Sequence, residues 1–271
     1  MTFNKVAILL AAFFPLSVIG PAQAQLSKDQ KISLFSQANE NFRQANSTQD
    51  PEQAERLYEM AILAFEKITD EGGVKNSRLY YNLANAYFLK GRLGKAILNY
   101  RRAEALGGYD DNIRKNLAFA RSKRIDKIEI KTERRVLQTL FFWHYDFALR
   151  TRFLLTCIFF GAVCICITVA IWFGRSSTYT APAIICGILT LCFLTSVILE
   201  YRTQASKVSG VITAKETIAR QGDGENYPPS FKEPLHEGTE FDLLEKRPGW
   251  LYIRLSDGSD GWITEGSAEL I

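Results

Sequence analysis

The sequence predicts a mixed multi-domain chain: an α-helical repeat domain, a two-helix transmembrane hairpin and a small all-β barrel. Three observations predict it. Apolar residues step by three and four along the front of the chain, the spacing of one face of a helix. Two uncharged apolar runs lie in the middle, each long enough at about 1.5 Å per residue to cross a hydrocarbon core of about 30 Å. The rear breaks into short alternating runs between glycine turns, the pattern of strands.

The 271 residues carry a net charge of +4, unevenly divided. Residues 25–152 hold 23 Lys/Arg against 16 Asp/Glu, residues 200–271 hold 8 against 13, and Lys5 and Arg175 complete the balance. Either the basic front and acidic rear attract each other, or the front lies near anionic lipid headgroups. Neither half has dense Lys/Arg runs with interleaved aromatics, so nucleic acid is not an expected partner. All five cysteines (Cys157, Cys164, Cys166, Cys186 and Cys192) fall within the apolar runs. The outer domains therefore have no disulfide framework, and the thiols read as small apolar residues. His144 and His236 are the only histidines and have no Cys partners at metal spacing, so no metal and no cofactor is expected.

Residues 1–24 read as a signal peptide. Lys5 precedes the apolar stretch Val6 to Ile19, and Ala22-Gln23-Ala24 forms a small-x-small cleavage site. The alternative is an uncleaved anchor; in both cases the segment from Gln25 onward is exported.

Residues 25–126 form the helical-repeat domain. Ala54, Leu57, Tyr58, Ala61, Ile62, Phe65 and Ile68 make one apolar stripe. Asp50-Pro51 starts that helix with a capping carboxylate and a proline at the first helical position, and Gly72-Gly73 stops it. Tyr80, Leu83, Ala84 and Tyr87 make a second stripe; after Lys90-Gly91 a third runs through Leu93, Ala96, Ile97, Tyr100 and Ala103. The pair Tyr80-x2-Leu83-Ala84-x2-Tyr87 and Ala96-x3-Tyr100 resembles the tetratricopeptide repeat, in which small residues let paired helices approach and aromatics fill the gaps. Ala84 departs from the glycine of that pattern and Gly108 from its proline. Phe35, Ala38 and Phe42 with Ala61, Phe65 and Ile68 resemble a second, degenerate copy, whose inter-helix stretch from Gln44 to Glu55 exceeds the pattern. Ile113, Asn116, Leu117 and Ala120 mark a lone helix that caps the stack. The resemblance implies a concave groove for a peptide or partner helix, lined by Phe35, Asn39, Phe42, Tyr81, Asn85 and Phe88; the bland alternative is that these residues only pack the helix pairs. Asn39 and Asn82 match a peptide-carboxylate clamp of some repeats, but Phe35 stands where a lysine belongs, and no clamp is expected.

Residues 127–152 form a linker whose aromatic cluster, Leu137, Leu140, Phe141, Phe142, Trp143 and Tyr145, reads as a helix at headgroup depth or as packing on the repeats. Residues 153–173 and 181–199 are the two expected spans. The seven residues between them cannot return across a bilayer, so the helices form an antiparallel hairpin and both soluble domains share one side. The signal peptide puts that side outside the cytoplasm. Arg134, Arg135, Arg150, Arg152, Arg202 and Lys207 at the outer ends argue the reverse by the positive-inside rule, which large translocated domains override.

Residues 207–271 form the barrel. Thr239 to Leu243 alternates, and Leu251, Ile253 and Leu255 face a core opposite Trp250, Tyr252 and Arg254. Asp257-Gly258 and Asp260-Gly261 read together as a tight hairpin turn. The string His236-Glu237-Gly238-Thr239, Gly249-Trp250, Asp257-Gly258 and Gly261-Trp262-Ile263 resembles bacterial SH3-like domains. That resemblance implies a ligand face of Tyr227, Phe231, Trp250 and Tyr252 for cell-wall peptides or proteins, or else Trp250 and Trp262 simply complete a small core.

No phosphate-binding glycine loop, nucleophile elbow or helical His–carboxylate pair occurs, so the chain is not expected to be an enzyme. The order of parts, together with the run Leu79 to Tyr87, the run Ala96 to Ala103 and Asn116-Leu117, resembles the BatE-like tetratricopeptide members of the Bacteroides aerotolerance (Bat) proteins. That resemblance implies a membrane-anchored scaffold in the bacterial cytoplasmic (inner) membrane, with both soluble domains periplasmic. Its partners would be von Willebrand-type Bat proteins and, indirectly, a MoxR-type ATPase, in envelope stress or aerotolerance. The alternative is a sensor or anchor that binds peptidoglycan through the barrel.

Overall fold

The computed structural model describes residues 26–107, 110–128, 139–145, 147, 149–174, 176–206 and 208–271. The expected signal peptide, Gly108, the linker residues 129–138 with Arg134, Arg135 and Leu137, and Asp146, Arg175 and Lys207 lie outside the described residues. Among those described, the chain is mostly helical, with eight helices, two of them apolar, and a small antiparallel sheet.

The first five helices stack as antiparallel neighbours. They are α1 (Lys28–Ser47), α2 (Pro51–Asp70), α3 (Ser77–Leu89), α4 (Leu93–Gly107) and α5 (Asp111–Ser122). Each start is written locally. Ser27 and Gln30 make a reciprocal capping box on α1, and the side chains of Asp50, Asn76 and Asp110 accept the first free N–H groups of α2, α3 and α5, which otherwise lack partners. Gly91, at φ +78°, ends α3; Arg92 N–H reaches back to the Tyr87 carbonyl at 2.9 Å, the six-to-one bond of a glycine-terminated helix. The stretch between α1 and α2 is only residues 48–50. This corrects the expected long connection from Gln44 to Glu55: the extra residues lengthen both helices, because cap and apolar face extend together. Phe65, Ile97, Leu98 and Leu117 are 0–1 % exposed at the centre of the stack. Ala38, Ala61, Ala84, Ala86 and Ala96 are fully buried where helices cross.

A one-turn helix α6 (Phe142–Tyr145) precedes the two long apolar helices, α7 (Leu149–Phe173) and α8 (Ser177–Ser206). Both are long and apolar enough to cross a membrane, and they extend beyond the expected spans 153–173 and 181–199 into their polar flanks. They pack on each other, with Phe159 and Phe193 stacked at 5.9 Å. Most of their large side chains face outward, Ile171 and Trp172 being 75 % and 81 % exposed.

The rear forms a five-stranded antiparallel sheet ordered β6-β5-β4-β1-β7 and a two-stranded pair β2-β3. The strands are β1 (Ser209–Ile212), β2 (Glu216–Thr217), β3 (Leu235–His236), β4 (Glu240–Arg247), β5 (Trp250–Arg254), β6 (Asp260–Thr264) and β7 (Ala268–Leu270). Leu251, Ile253 and Leu255 are buried, as their alternation requires. The β5–β6 turn is built by residues 255–259, with Gly258 at φ +85° and the Asp257 carboxylate accepting from Ser259 N–H. Gly261 does not belong to that turn. It pairs with Ile253 inside β6, and a Cβ there would come within 3.0 Å of Ser230 and 3.2 Å of Ala219; its role is close packing.

The sheet docks on α4 and α5. Val211 belongs to the same buried cluster as Phe65 and Leu117. A Cβ on Gly94 would lie 2.5 Å from the Ile212 carbonyl oxygen, so only glycine admits this approach. Glu237 accepts the Gly94 N–H at 3.0 Å, placing a carboxylate where the first turn of α4 has free donors. Glu240 takes a bidentate grip from Arg121 at 2.7 Å, with Arg101 and Arg124 at 3.3 and 3.4 Å. Glu269 lies 2.5 Å from Lys95 and 3.6 Å from Arg102. Asp126, just past α5, accepts from His236 N–H at 2.7 Å and Thr239 hydroxyl at 2.6 Å, with the His236 ring at 2.7 Å.

Candidate functional site

The helical stack has a second side, formed by α1, α3 and α5. The helical period brings Phe35, Asn39 and Phe42 of α1 and Tyr81, Asn85 and Phe88 of α3 along it, all half-buried. A chain of side-chain amides links the helices. Asn82 donates to Asn39 at 3.1 Å, and Asn39 donates to the Phe35 carbonyl at 2.8 Å. Asn116 of α5 donates to Asn85 at 3.2 Å and to the Tyr81 hydroxyl at 2.9 Å, and Tyr100 donates to Asn85 at 2.5 Å. Burial, aided by the neighbouring Tyr81, pushes the Tyr100 phenol well above its ordinary value, so it stays a neutral donor.

Aromatic pairs flank this amide chain. Phe35 sits edge-on to Phe65 at 6.0 Å and Phe42 to Tyr58 at 5.8 Å. Phe88 meets Phe119 at 5.6 Å. Phe119 is 54 % exposed, and the Lys123 ammonium lies 5.0 Å over its ring. The side thus offers flat apolar edges between amides that both donate and accept, a chemistry suited to a peptide's backbone and side chains. Each predicted groove residue also contacts a helix neighbour, so packing and display are not exclusive here. Asn116 and Phe119 complete the surface and lie beyond the predicted groove residues. Their i, i+3 spacing on α5 is the available signal in the sequence, but it fits a plain capping helix equally well.

The expected ligand face of the sheet is partly spent. Tyr252 stacks on Trp262 at 5.0 Å, and the Arg247 guanidinium lies 4.7 Å over the Trp262 ring. Trp262 is 7 % exposed. Phe231 packs against the sheet core. Trp250 shares the Tyr252 side of β5 and is half-buried, while Tyr227 is exposed against Gly222.

A polar cluster at one end of the apolar hairpin has no counterpart among the sequence expectations. Arg152, only 4 % exposed, donates to Ser196 at 2.9 Å and lies 3.0 Å from His144 and 3.6 Å from Glu200. Ser196 stands 44 positions from Arg152 and 52 from His144, and only antiparallel packing of α7 and α8 joins them.

Among the described residues no group of three or more His, Cys, Asp or Glu is placed to hold a metal ion. No known protein family, curated protein or solved structure matches this chain.

Proposed function

We propose that the chain is a non-enzymatic, membrane-anchored scaffold that captures a protein partner on the α1–α3–α5 side of its helical stack. One observation carries the reading: the α4–α5 side is filled by the chain's own sheet, while among the described residues the amide and aromatic side remains half-exposed and has no other element packed over it. On this reading the stack is a tetratricopeptide-like array, supported by antiparallel helix pairs with buried alanines at their crossings. The sheet is an SH3-like barrel, supported by the order β6-β5-β4-β1-β7 and the 3-10 turn before the last strand. The apolar hairpin crosses the membrane twice, and the contact between stack and sheet supports a single compartment for both, the periplasm. A Bat-type envelope stress or aerotolerance complex, with von Willebrand-type partners, is the setting proposed for it.

Photocrosslinking tests this. A benzophenone residue at Asn85 or Phe119 of the full chain in its own membranes is expected to trap a discrete protein; one at Lys67, on the outer helix α2, is not. Equal trapping at all three positions sinks the groove reading. An inactive periplasmic phosphatase fused after Ile271 sinks the topology. Peptidoglycan capture through the sheet is the competing reading, and it is favoured by Tyr227, which is exposed, and Trp250, which is half-buried. Sedimentation of the full chain with peptidoglycan, abolished by Trp250→Ala, would establish it in place of the first.

A further inference from the structure

We propose that the hairpin holds one anionic phospholipid in a cavity between α6 and α8, an inference that rests on the membrane-spanning reading. The cavity has a volume of about 440 Å³ and is lined by Phe141, Trp143, Leu191 and Leu199, with His144 and Ser196 as its polar members. That volume lies in the range of small-ligand sites. In a bilayer its apolar wall faces hydrocarbon, and an apolar cavity does not hold ordered water.

His144 and Ser196 line the cavity, and Arg152 lies behind them, outside the cavity wall, within hydrogen-bonding distance of both. Arg152 is almost wholly buried, yet its Nε has no hydrogen-bond partner among the described residues. A guanidinium in that state carries an unused donor and a charge that Glu200, at 3.6 Å, opposes. Arg150 lies two residues away and is exposed. At this end Arg150, Arg152 and Arg202 stand against Glu200, a net positive charge that suits a phosphate and disfavours a zwitterionic headgroup. The aromatic side chains of residues 141–143 would clamp the upper part of the acyl chain, which gives that segment a task beyond lying on the surface.

The test uses the full chain in phosphatidylcholine vesicles doped with phosphatidylglycerol that carries a photoactivatable acyl chain. Adducts are expected at residues 141–144 and 191–199, with about fivefold preference over the matched phosphatidylcholine probe, the worth of one cation near a lipid surface. Thr195→Trp, which fills the cavity wall, is expected to abolish those adducts while leaving the helical circular dichroism unchanged. Arg152→Gln is expected to erase the headgroup preference; if that variant fails to fold, Thr195→Trp alone decides. Labelling spread evenly along α7 and α8, adducts undiminished in Thr195→Trp, or crosslinking of Cys192 to a second protein would overturn the proposal. Release of the chain by alkaline carbonate would overturn the membrane reading and the lipid site together. A chain that resists carbonate but shows no local adducts refutes the lipid site alone.

Discussion

The two sides of the helical stack use different residue types to different ends. On the α4–α5 side, arginines and lysines are consumed by Glu240, Glu269 and the chain's own sheet. On the α1–α3–α5 side, amides and aromatics bond mainly to one another and keep a face to solvent. The difference teaches how such a stack divides its surface: full charge is spent where a permanent neighbour repays desolvation, and neutral amides are kept on the side where we propose that a partner binds. Charged pairs lose far more than amides when one member is missing, so they suit the permanent side.

That division can be broken in several ways. Acid should break it most broadly. Burial pushes the Glu240 carboxyl up, but the hydrogen bonds and charge of Arg121, with Arg101 and Arg124, outweigh it and hold Glu240 below its ordinary value. Burial likewise raises Asp126, and bonds from His236 and Thr239 outweigh that too. A carboxyl depressed in the folded state contributes stability above its unfolded pKa, near 4, and loses it as pH falls through the folded value. Crosslinks between stack and sheet should therefore persist at neutral pH and weaken progressively as pH falls below about 4, before the helical signal of the stack is lost. Crosslinks that do not weaken at all as pH is lowered from neutrality until the helical signal itself is lost would contradict the assignment.

Glu240→Ala comes next. It leaves Arg101, Arg121 and Arg124 facing one another with their carboxylate gone, and Arg124 and Arg121 are only 23 % and 34 % exposed. A cost of about 3 kcal/mol is expected, at the low end for a broken buried pair because the arginines retain some water; chemical denaturation of the detergent-solubilised chain measures it. Gly94→Ala sharpens the comparison through its sign. In an isolated helix alanine is favoured over glycine by about 1 kcal/mol. Here the new Cβ meets backbone at 2.5 Å, so the substitution should destabilise by about 1–3 kcal/mol. A stabilised protein would mean the sheet is not seated on α4. The smallest effect is expected from Arg43→Ala, whose ion pair with Glu40 on α1 is 78 % and 45 % exposed. The melting temperature should show no measurable change, since water screens such pairs.

Legibility tracks the range of the interaction. The cap at Asp50, the apolar stripe of α2 and the in–out alternation of β5 are local, and each is readable from neighbours in the chain. That Phe35, Asn39 and Phe42 share one face of α1, and Tyr81, Asn85 and Phe88 one face of α3, is readable because a helical face repeats every three to four positions. The contribution of α5 is not, because nothing local says whether Asn116 faces its stack or the solvent. The Arg152–Ser196–His144 cluster is hidden for a stronger reason: Ser196 is an ordinary small residue in an apolar run until a second helix brings an arginine to it.

By itself, the sequence determined the kinds of parts and their order: capped helices, two apolar rods long enough for a bilayer, and short strands punctuated by glycine. It also carried the charge asymmetry, with the excess of base in front and of acid behind. Only the tertiary structure decided that this asymmetry is used inside the molecule. Glu240 meets Arg121 across 119 positions and Arg124 across 116. Such pairings depend on how whole elements pack, and no periodicity within an element encodes which charge it will face.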